Sequence, residues 1–145
     1  MKKLKRKAYS IVLFIVSVSL LVAMLSGCIG EHNYVLKEDI DNIERAEIAN
    51  IKYSQSLDIE VLAELKTDEA QALAQELCAL TCTSPAPPIE DIESISVIFY
   101  YNDKSYEIIS IYSSRYMVND KPKYYGHHVY DEEEFTELLR SAIND

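Results

Sequence analysis

The feature that most restricts how this chain folds is an apolar run near its N-terminus, from Ile11 to Leu25, interrupted only by Ser17 and Ser19. Basic residues precede the run, and no acidic residue occurs before Cys28. A basic start, an apolar core and small residues at the end are the layout of a secretory signal peptide. As a helix the run would reach about 22 Å at ~1.5 Å per residue, short of the roughly 30 Å hydrocarbon core of a bilayer. The pattern therefore favours a removable signal over a permanent membrane span.

The end of this run carries a specific motif. The four residues Leu25-Ser26-Gly27-Cys28 resemble the lipobox of bacterial lipoproteins without departure. The resemblance implies that the Cys28 thiol is joined to diacylglycerol, that a peptidase cuts between Gly27 and Cys28, and that Cys28 becomes the mature N-terminus. It covers residues 1–28 only. The alternative is an uncleaved membrane helix with a chance cysteine.

Lipid attachment sets the expected location and the expected domains. Two acyl chains hold a protein stably on a bilayer, whereas one binds only marginally. We therefore expect a protein that is anchored to the cell membrane through Cys28 and faces outside the cytoplasm. The 118 residues that remain after cleavage suit one domain and are too few for two. The expected organisation is a signal peptide over 1–27, a tether over 28–43 and a single α+β domain over 44–145.

Removal of the signal makes the chain strongly acidic. Five of the 14 basic residues precede Cys28, which leaves nine against 24 acidic residues and a net charge of −15. Such a surface repels nucleic acid and anionic lipid headgroups. We therefore expect no nucleic-acid partner, and the charge is expected to keep the domain soluble.

The order of periodic segments predicts the fold class. Alternating apolar residues predict strands over 46–53 and 57–61, and a helix with one apolar stripe is expected from about Asp68 to Leu80, capped by Thr67. After a proline-rich connector, four further strands are expected over 95–101, 104–112, 115–119 and 124–130, with turns at 102–103, 113–114 and 120–122. A final helix begins after Asp131. The prediction is an α+β fold, in which an antiparallel sheet (a two-stranded start plus a four-stranded meander) carries both helices packed on one face.

Cys78 and Cys82 are the most distinctive local pair. They lie four residues apart, on the apolar side of the first helix if that helix continues to Cys82. Outside the cytoplasm a disulfide between them is chemically allowed, but an intact helix would strain it, so the helix would have to end before Cys82. Three interpretations stay open: buried thiols, a disulfide, and a metal or redox site, although the spacing is not C-x-x-C.

His127 and His128 are weak candidates to complete a metal site with the two cysteines. Adjacent residues on a strand point to opposite faces, so at most one of them is expected to reach a shared site. The alternative is a pair of half-exposed strand histidines. We expect no bound metal or other cofactor.

Ten tyrosines follow Cys28, and eight of them lie in or beside the meander. Tyrosine suits a half-buried sheet face. It is also enriched at protein interfaces, where it offers a large area with few rotors. Sugar stacking is a third interpretation, which the absence of tryptophan weakens.

These features together predict a non-enzymatic lipoprotein that acts as a protein-interaction module of the cell envelope, with another envelope or secreted protein as its partner. The sequence contains neither G-x-S-x-G nor H-E-x-x-H, and only Gly30 and Gly126 follow Cys28, so a phosphate-binding glycine loop is not provided for. The alternative is a small-ligand or metal-binding lipoprotein that uses Cys78 and Cys82.

Overall fold

The structure is a computed structural model, which describes residues 30–53, 57–84 and 93–144 of the chain. The predicted signal peptide with Gly27 and Cys28, the turn at 54–56 and the proline-rich connector lie outside these residues. Among the described residues, neither helix is long and apolar enough to cross a bilayer.

Nine strands and two helices make up the described part of the chain. The strands are β1 (Gly30–Asn33), β2 (Ile43–Tyr53), β3 (Leu57–Lys66), β4 (Thr81–Ser84), β5 (Glu93–Tyr101), β6 (Tyr106–Ser110), β7 (Ser113–Val118), β8 (Lys121–His127) and β9 (Val129–Tyr130). The helices are α1 (Thr67–Ala79) and α2 (Glu132–Asn144), and a short 3-10 helix covers Ile40–Asn42. The main sheet has six strands in the order β3-β2-β5-β6-β7-β8, with every neighbouring pair antiparallel.

The α+β prediction is confirmed, and both helices pack on the same face of the main sheet. The apolar stripes of α1 and α2 share one core with the inward residues of β2, β3, β5 and β6. The largest members of this core are Ile43, Ile48, Leu77, Phe99, Tyr101, Ile109, Phe135 and Leu139. A smaller buried cluster, formed by Ala49, Ile51, Ile98 and Ile108, lies on the opposite face.

Both helices have a hydrogen bond that satisfies a backbone N–H at their N-terminus, but only α2 forms it through the predicted capping residue. At α2 the Asp131 side chain accepts a hydrogen bond from the Glu134 N–H at 3.0 Å, so the predicted cap is confirmed. The predicted Thr67 cap of α1 is wrong, because the Thr67 hydroxyl donates to the Glu44 carbonyl at 2.6 Å and ties the helix to β2. Instead, the Glu69 carboxylate accepts from the Lys66 N–H at 2.9 Å.

Two turns of the meander lie away from their predicted positions. The loop between β7 and β8 is Asn119-Asp120, both in the left-handed region with φ of 51° and 58°, and a two-residue turn of this kind matches the twist of a hairpin. The predicted turn at 113–114 is wrong, because both serines open β7 and the chain bends at 111–112 instead. At the predicted 102–103 turn the positive φ (69°) falls on Lys104.

A second, three-stranded sheet was not predicted. Its order is β1-β4-β9, so it joins the segment before the first predicted strand to the segments after α1 and β8. The tether expected over 28–43 is accordingly wrong from Glu31 onward, because residues Glu31–Asp145 form one compact unit. The side-chain amide of Asn33, for example, donates to the Ala79 carbonyl at 2.9 Å.

Gly126 is needed because its strand passes very close to a buried serine. It lies opposite Ser114 in the β7–β8 pair, and a Cβ at this position would come within 2.5 Å of the Ser114 Oγ. We expect Gly126→Ala to lower the free energy of unfolding by about 1–3 kcal/mol, the usual cost of overpacking a core. Denaturant unfolding of Gly126→Ala, Ser114→Ala and the double variant measures this. Recovery of most of the loss in the double variant is the expected result, and simple addition of the two losses would contradict it.

Candidate functional site

A buried carboxylate joins the N-terminal segment to the main sheet. Glu107 lies on the core side of β6, in phase with Ile109, and is 0% exposed. Its Oε2 accepts hydrogen bonds from the Tyr101 hydroxyl at 2.8 Å and from the Lys37 backbone N–H at 3.0 Å. Its Oε1 accepts from the Tyr34 hydroxyl. Since a buried carboxylate is costly without such partners, the three donors make its position tolerable.

The electrostatics of this group follow from its burial. Loss of hydration raises the pKa of Glu107, and the hydrogen bonds from Tyr34, Lys37 and Tyr101 oppose that rise. Burial and the negative charge of Glu107 also raise the pKa values of Tyr34 and Tyr101, so both hydroxyls stay protonated and donate. The carboxyl group is closed to solvent and its oxygens face donors from two separate segments. These hydrogen bonds hold residues 34–37 against β5 and β6.

A neutral histidine and two aromatic rings continue the buried polar cluster. The His128 ring lies between Tyr34 and Tyr130, with ring centroids at 5.3 and 4.9 Å, and Tyr130 in turn stacks on Phe135 at 5.0 Å. The Nε2 of His128 lies 3.0 Å from the Ser110 carbonyl, to which it donates. Burial lowers the pKa of His128 to about 4, although the bond to Ser110 partly opposes this. The ring is therefore neutral near pH 7.

Cys78 and Cys82 are both free thiols in the structure. Because α1 ends at Ala79, Cys82 lies in β4, where it is buried, and Cys78 is half-buried at the end of the helix. Burial raises the pKa of both thiols, which keeps them protonated and weakly nucleophilic. The arrangement matches the interpretation as buried thiols. The disulfide stays a prediction, which thiol titration of the purified protein tests.

The structure does not gather the four weak metal candidates into one site. His127 is exposed and His128 is buried, so the expected pair of half-exposed histidines is wrong for His128. The neighbour of Cys82 is instead His32 of β1, whose Nε2 lies 3.6 Å from the Cys82 Sγ and 3.4 Å from the Ser84 Oγ. Across residues 30–53, 57–84 and 93–144, no three His, Cys, Asp or Glu side chains form a group able to hold a metal ion.

Most tyrosines of the meander serve the sheet itself. Only Tyr124 and Tyr125 of β8 are strongly exposed among the eight, at 44% and 52%, and cationic groups of Lys37 and Arg115 lie over their rings. The other six are buried or half-buried: Tyr100, Tyr101, Tyr106, Tyr112, Tyr116 and Tyr130. Four of these six, Tyr100, Tyr101, Tyr106 and Tyr116, lie in strands of the main sheet, which agrees with the interpretation as residues of a sheet face. Tyr124 and Tyr125 are therefore the tyrosines of the meander that are most accessible to a partner.

Three other exposed apolar side chains lie together on β3. Ile59, Val61 and Leu62 are 39%, 46% and 41% exposed, and β3 is the last strand at one end of the main sheet. The strand at the opposite end, β8, contains Pro122 between two lysines, residues that discourage pairing with another chain. The two ends of the sheet therefore differ, because β3 contains no proline, while its acidic side chains and its register shift limit which segments can pair with it.

A groove of about 360 Å³ borders β3 on the helix side of the sheet. Its apolar lining residues come from all three bordering elements: Ala63 and Leu65 of β3, Ala72 and Leu73 of α1, and Leu138, Ala142 and Ile143 of α2. Glu64, Glu69 and Glu76 add three carboxylates, and the lining includes no lysine or arginine. The groove therefore combines an apolar interior with negative charge.

Sequence reasoning missed both Glu107 and the importance of β3. The signal for Glu107 is its register: it lies two residues before Ile109 in an alternating strand, which places it on the buried face. The signal for β3 is the run Val61-Leu62-Ala63, which interrupts the alternation of apolar and acidic residues at the point where the pairing with β2 shifts register. Neither signal identifies a hydrogen-bond partner or a sheet edge, since both depend on distant segments.

Comparison with known proteins assigns no family to this chain: no protein-family model matches it, and no curated protein or solved structure shows significant similarity.

Proposed function

We propose that this chain is a lipid-anchored protein of the outer side of the cell membrane, and that it works by binding another protein through the β3 edge of its sheet. The observation that carries the proposal is the exposure of Ile59, Val61 and Leu62 together on a terminal strand. Apolar side chains that are exposed on an edge strand can mark a site where another chain pairs. An edge that is left exposed in this way supports an interaction role.

The predicted anchor would hold the domain close to the membrane. β1 begins at Gly30, two positions after Cys28, and an extended residue spans at most ~3.6 Å. Diacylglycerol on Cys28 would therefore place the folded part within about 10 Å of the headgroups, comparable with the screening length of roughly 8–10 Å at physiological salt. Anionic headgroups within that range would repel the net negative charge of the domain, which would keep the folded part off the membrane surface.

The anchor itself is tested by mass spectrometry of the protein from cells. We expect the wild-type chain to begin at Cys28 and to carry the mass of its acyl groups, and we expect Cys28→Ala to lose those groups and to retain residues 1–27. Cys78→Ser is the matched control, because its thiol lies in the folded part and its change leaves processing intact. A full-length, unmodified wild-type chain in the cytosol would contradict the proposed anchor.

The interaction is tested by site-specific crosslinking in intact cells. A photoreactive residue at position 62 of β3 is expected to form a discrete adduct with another protein. The same residue at position 137, exposed on α2 and outside the groove, is expected to form none. Equal labelling at both positions, or no adduct at position 62, would overturn the proposal.

A further inference from the structure

The β3 edge and the adjoining groove provide the two parts of a strand-addition site. In this mode of recognition, backbone hydrogen bonds along an edge strand give affinity, and pockets for alternate side chains give specificity. We propose that β3 binds an extended segment of its partner, in which apolar and basic residues alternate, as a seventh strand of the main sheet. The inference rests on the proposed function and names the chemistry of the partner.

The backbone part of the argument concerns length and position. β3 spans ten residues, Leu57–Lys66, and in the order of the described strands it has one neighbour, β2. The register shift between Ile48 and Ala49 of β2 leaves Leu62 without a partner, so the regular stretch of β3 is Leu57–Val61, about the five or six residues of a typical strand. The exposed side chains of Ile59 and Val61 lie opposite Ile51 and Ala49 of β2, on the face away from the helices. Apolar side chains on one face of an added strand would cover Ile59 and Val61.

The groove provides for the other face of the added strand. Side chains of a strand alternate between the two faces of the sheet, so every second residue of an added segment would point toward the helices. The groove lies there, between β3, α1 and α2, with Leu73, Leu138 and Ile143 among its lining residues. Its volume of about 360 Å³ falls in the range of roughly 300–1,000 Å³ that ligand pockets occupy. The basic residues of the alternating segment point this way, so the apolar stem of a lysine or arginine side chain can lie in this interior with its charged end near the carboxylates of the lining.

Charge determines which extended segment suits the site. Glu64, Glu69 and Glu76 belong to the groove lining, and Asp58 and Glu60 are exposed on the same strand. Lysine or arginine beside the apolar residues would meet these carboxylates, and opposite charges across a strand pair are favourable. A second copy of β3 would instead bring acidic residues against acidic residues, which is unfavourable at that spacing. The occupant is therefore a basic segment of another protein and not a second copy of this chain.

The test uses the full chain, purified in detergent, and a decapeptide of alternating lysine and valine as the probe. We expect the peptide to bind, and we expect the same peptide with alternate backbone amides N-methylated, so that one edge cannot donate, to bind at least tenfold more weakly. The methylated peptide has the same charge and side chains, so equal binding by the two peptides would overturn strand addition. No binding of the unmodified peptide would also overturn the inference.

Two protein variants locate the peptide on the surface. Glu76→Lys in the groove is expected to weaken binding at least fivefold, whereas Glu137→Lys, which changes the net charge equally outside the groove, is expected to weaken it less than twofold. If both variants weakened binding equally, the peptide would be attracted by the net charge of the protein alone, and the proposed site would be overturned. A dimer in sedimentation measurements that Ile59→Lys dissociates would show that the occupant is a second copy. If crosslinking at position 62 succeeds and the peptide does not compete with it, the interaction function stands and this inference fails.

Discussion

A Glu107→Leu variant is expected to unfold at a much lower denaturant concentration than the wild-type protein. Leucine leaves the hydroxyls of Tyr34 and Tyr101 and the N–H of Lys37 without their acceptor inside the core. Each unsatisfied buried group costs about 1–3 kcal/mol, so the loss of three acceptors is expected to lower the free energy of unfolding by about 3–9 kcal/mol. Because a domain of this size has a total stability of only about 5–15 kcal/mol, a large part of it would be lost.

Glu107→Gln separates the loss of acceptors from the loss of charge. The amide keeps an acceptor oxygen in place and removes a charge that burial disfavours, as the raised pKa of Glu107 indicates. We therefore expect Gln to cost much less than Leu, by about 2 kcal/mol or more. Equilibrium unfolding in urea measures both variants, and equal losses for Gln and Leu would contradict the role of the three hydrogen bonds.

A pair of tyrosine variants gives the matched control within the same core. Tyr101→Phe removes a hydroxyl that donates to Glu107 at 2.8 Å. Tyr130→Phe removes a buried hydroxyl that has no hydrogen-bond partner in the described part of the chain. The first change is expected to cost about 1–2 kcal/mol and the second close to nothing, because only the first breaks a hydrogen bond. A loss for Tyr130→Phe as large as that for Tyr101→Phe would contradict the role of the hydrogen bond to Glu107, because both changes keep the ring and remove only a hydroxyl.

The parts of the fold that the sequence predicts are those set by neighbouring residues. α2 is the clearest case, because Asp131 supplies its cap and Phe135 and Leu139 its buried face within a few positions of one another. The strands of the meander follow from alternation in the same way. The sequence predicts turn positions less well, because a pair of serines can occupy either a turn or a strand. At 113–114 both serines lie in a strand, because they pair with β6 and β8.

The parts that the sequence does not predict depend on contacts between distant segments. The Tyr34 hydroxyl donates to the carboxylate of Glu107, which lies 73 positions later in the chain. No local pattern around Val35 or Leu36 predicts this partner. A polar segment before the first strand therefore resembled a tether, although it is bound to the core. The candidate site shares this difficulty, since the exposure of β3 follows from the strand order of the whole sheet, and alternation alone places no strand at an edge.

The second large effect concerns the dependence of stability on pH, which His128 is expected to dominate between pH 7 and pH 4.5. In the folded protein its pKa is lowered to about 4, whereas an unfolded chain has the ordinary value of about 6.5. Between these values the unfolded chain binds more protons than the folded one, so stability falls as the pH falls. Since His128 is only 3% exposed, the expected loss at pH 4.5 is about 2–3 kcal/mol relative to pH 7.

Glu107 acts in the opposite direction in the same pH range. Its folded pKa is raised, so the folded protein binds more protons there than the unfolded chain, and its contribution to stability grows as the pH falls. The effect of His128 is therefore best measured in a Glu107→Gln background, where this opposing contribution is absent. Urea unfolding at a series of pH values measures how the free energy of unfolding changes with pH.

The matched control for His128 is the histidine next to it. In the Glu107→Gln background, His128→Gln is expected to reduce the loss of stability between pH 7 and pH 4.5 by about 2–3 kcal/mol, because glutamine has no proton to gain. His127→Gln is expected to leave that loss unchanged, since His127 is exposed and meets water in both states. A His128 ring that titrates near pH 6.5 in an NMR experiment, or equal slopes for the two variants, would show that the buried imidazole does not control acid stability.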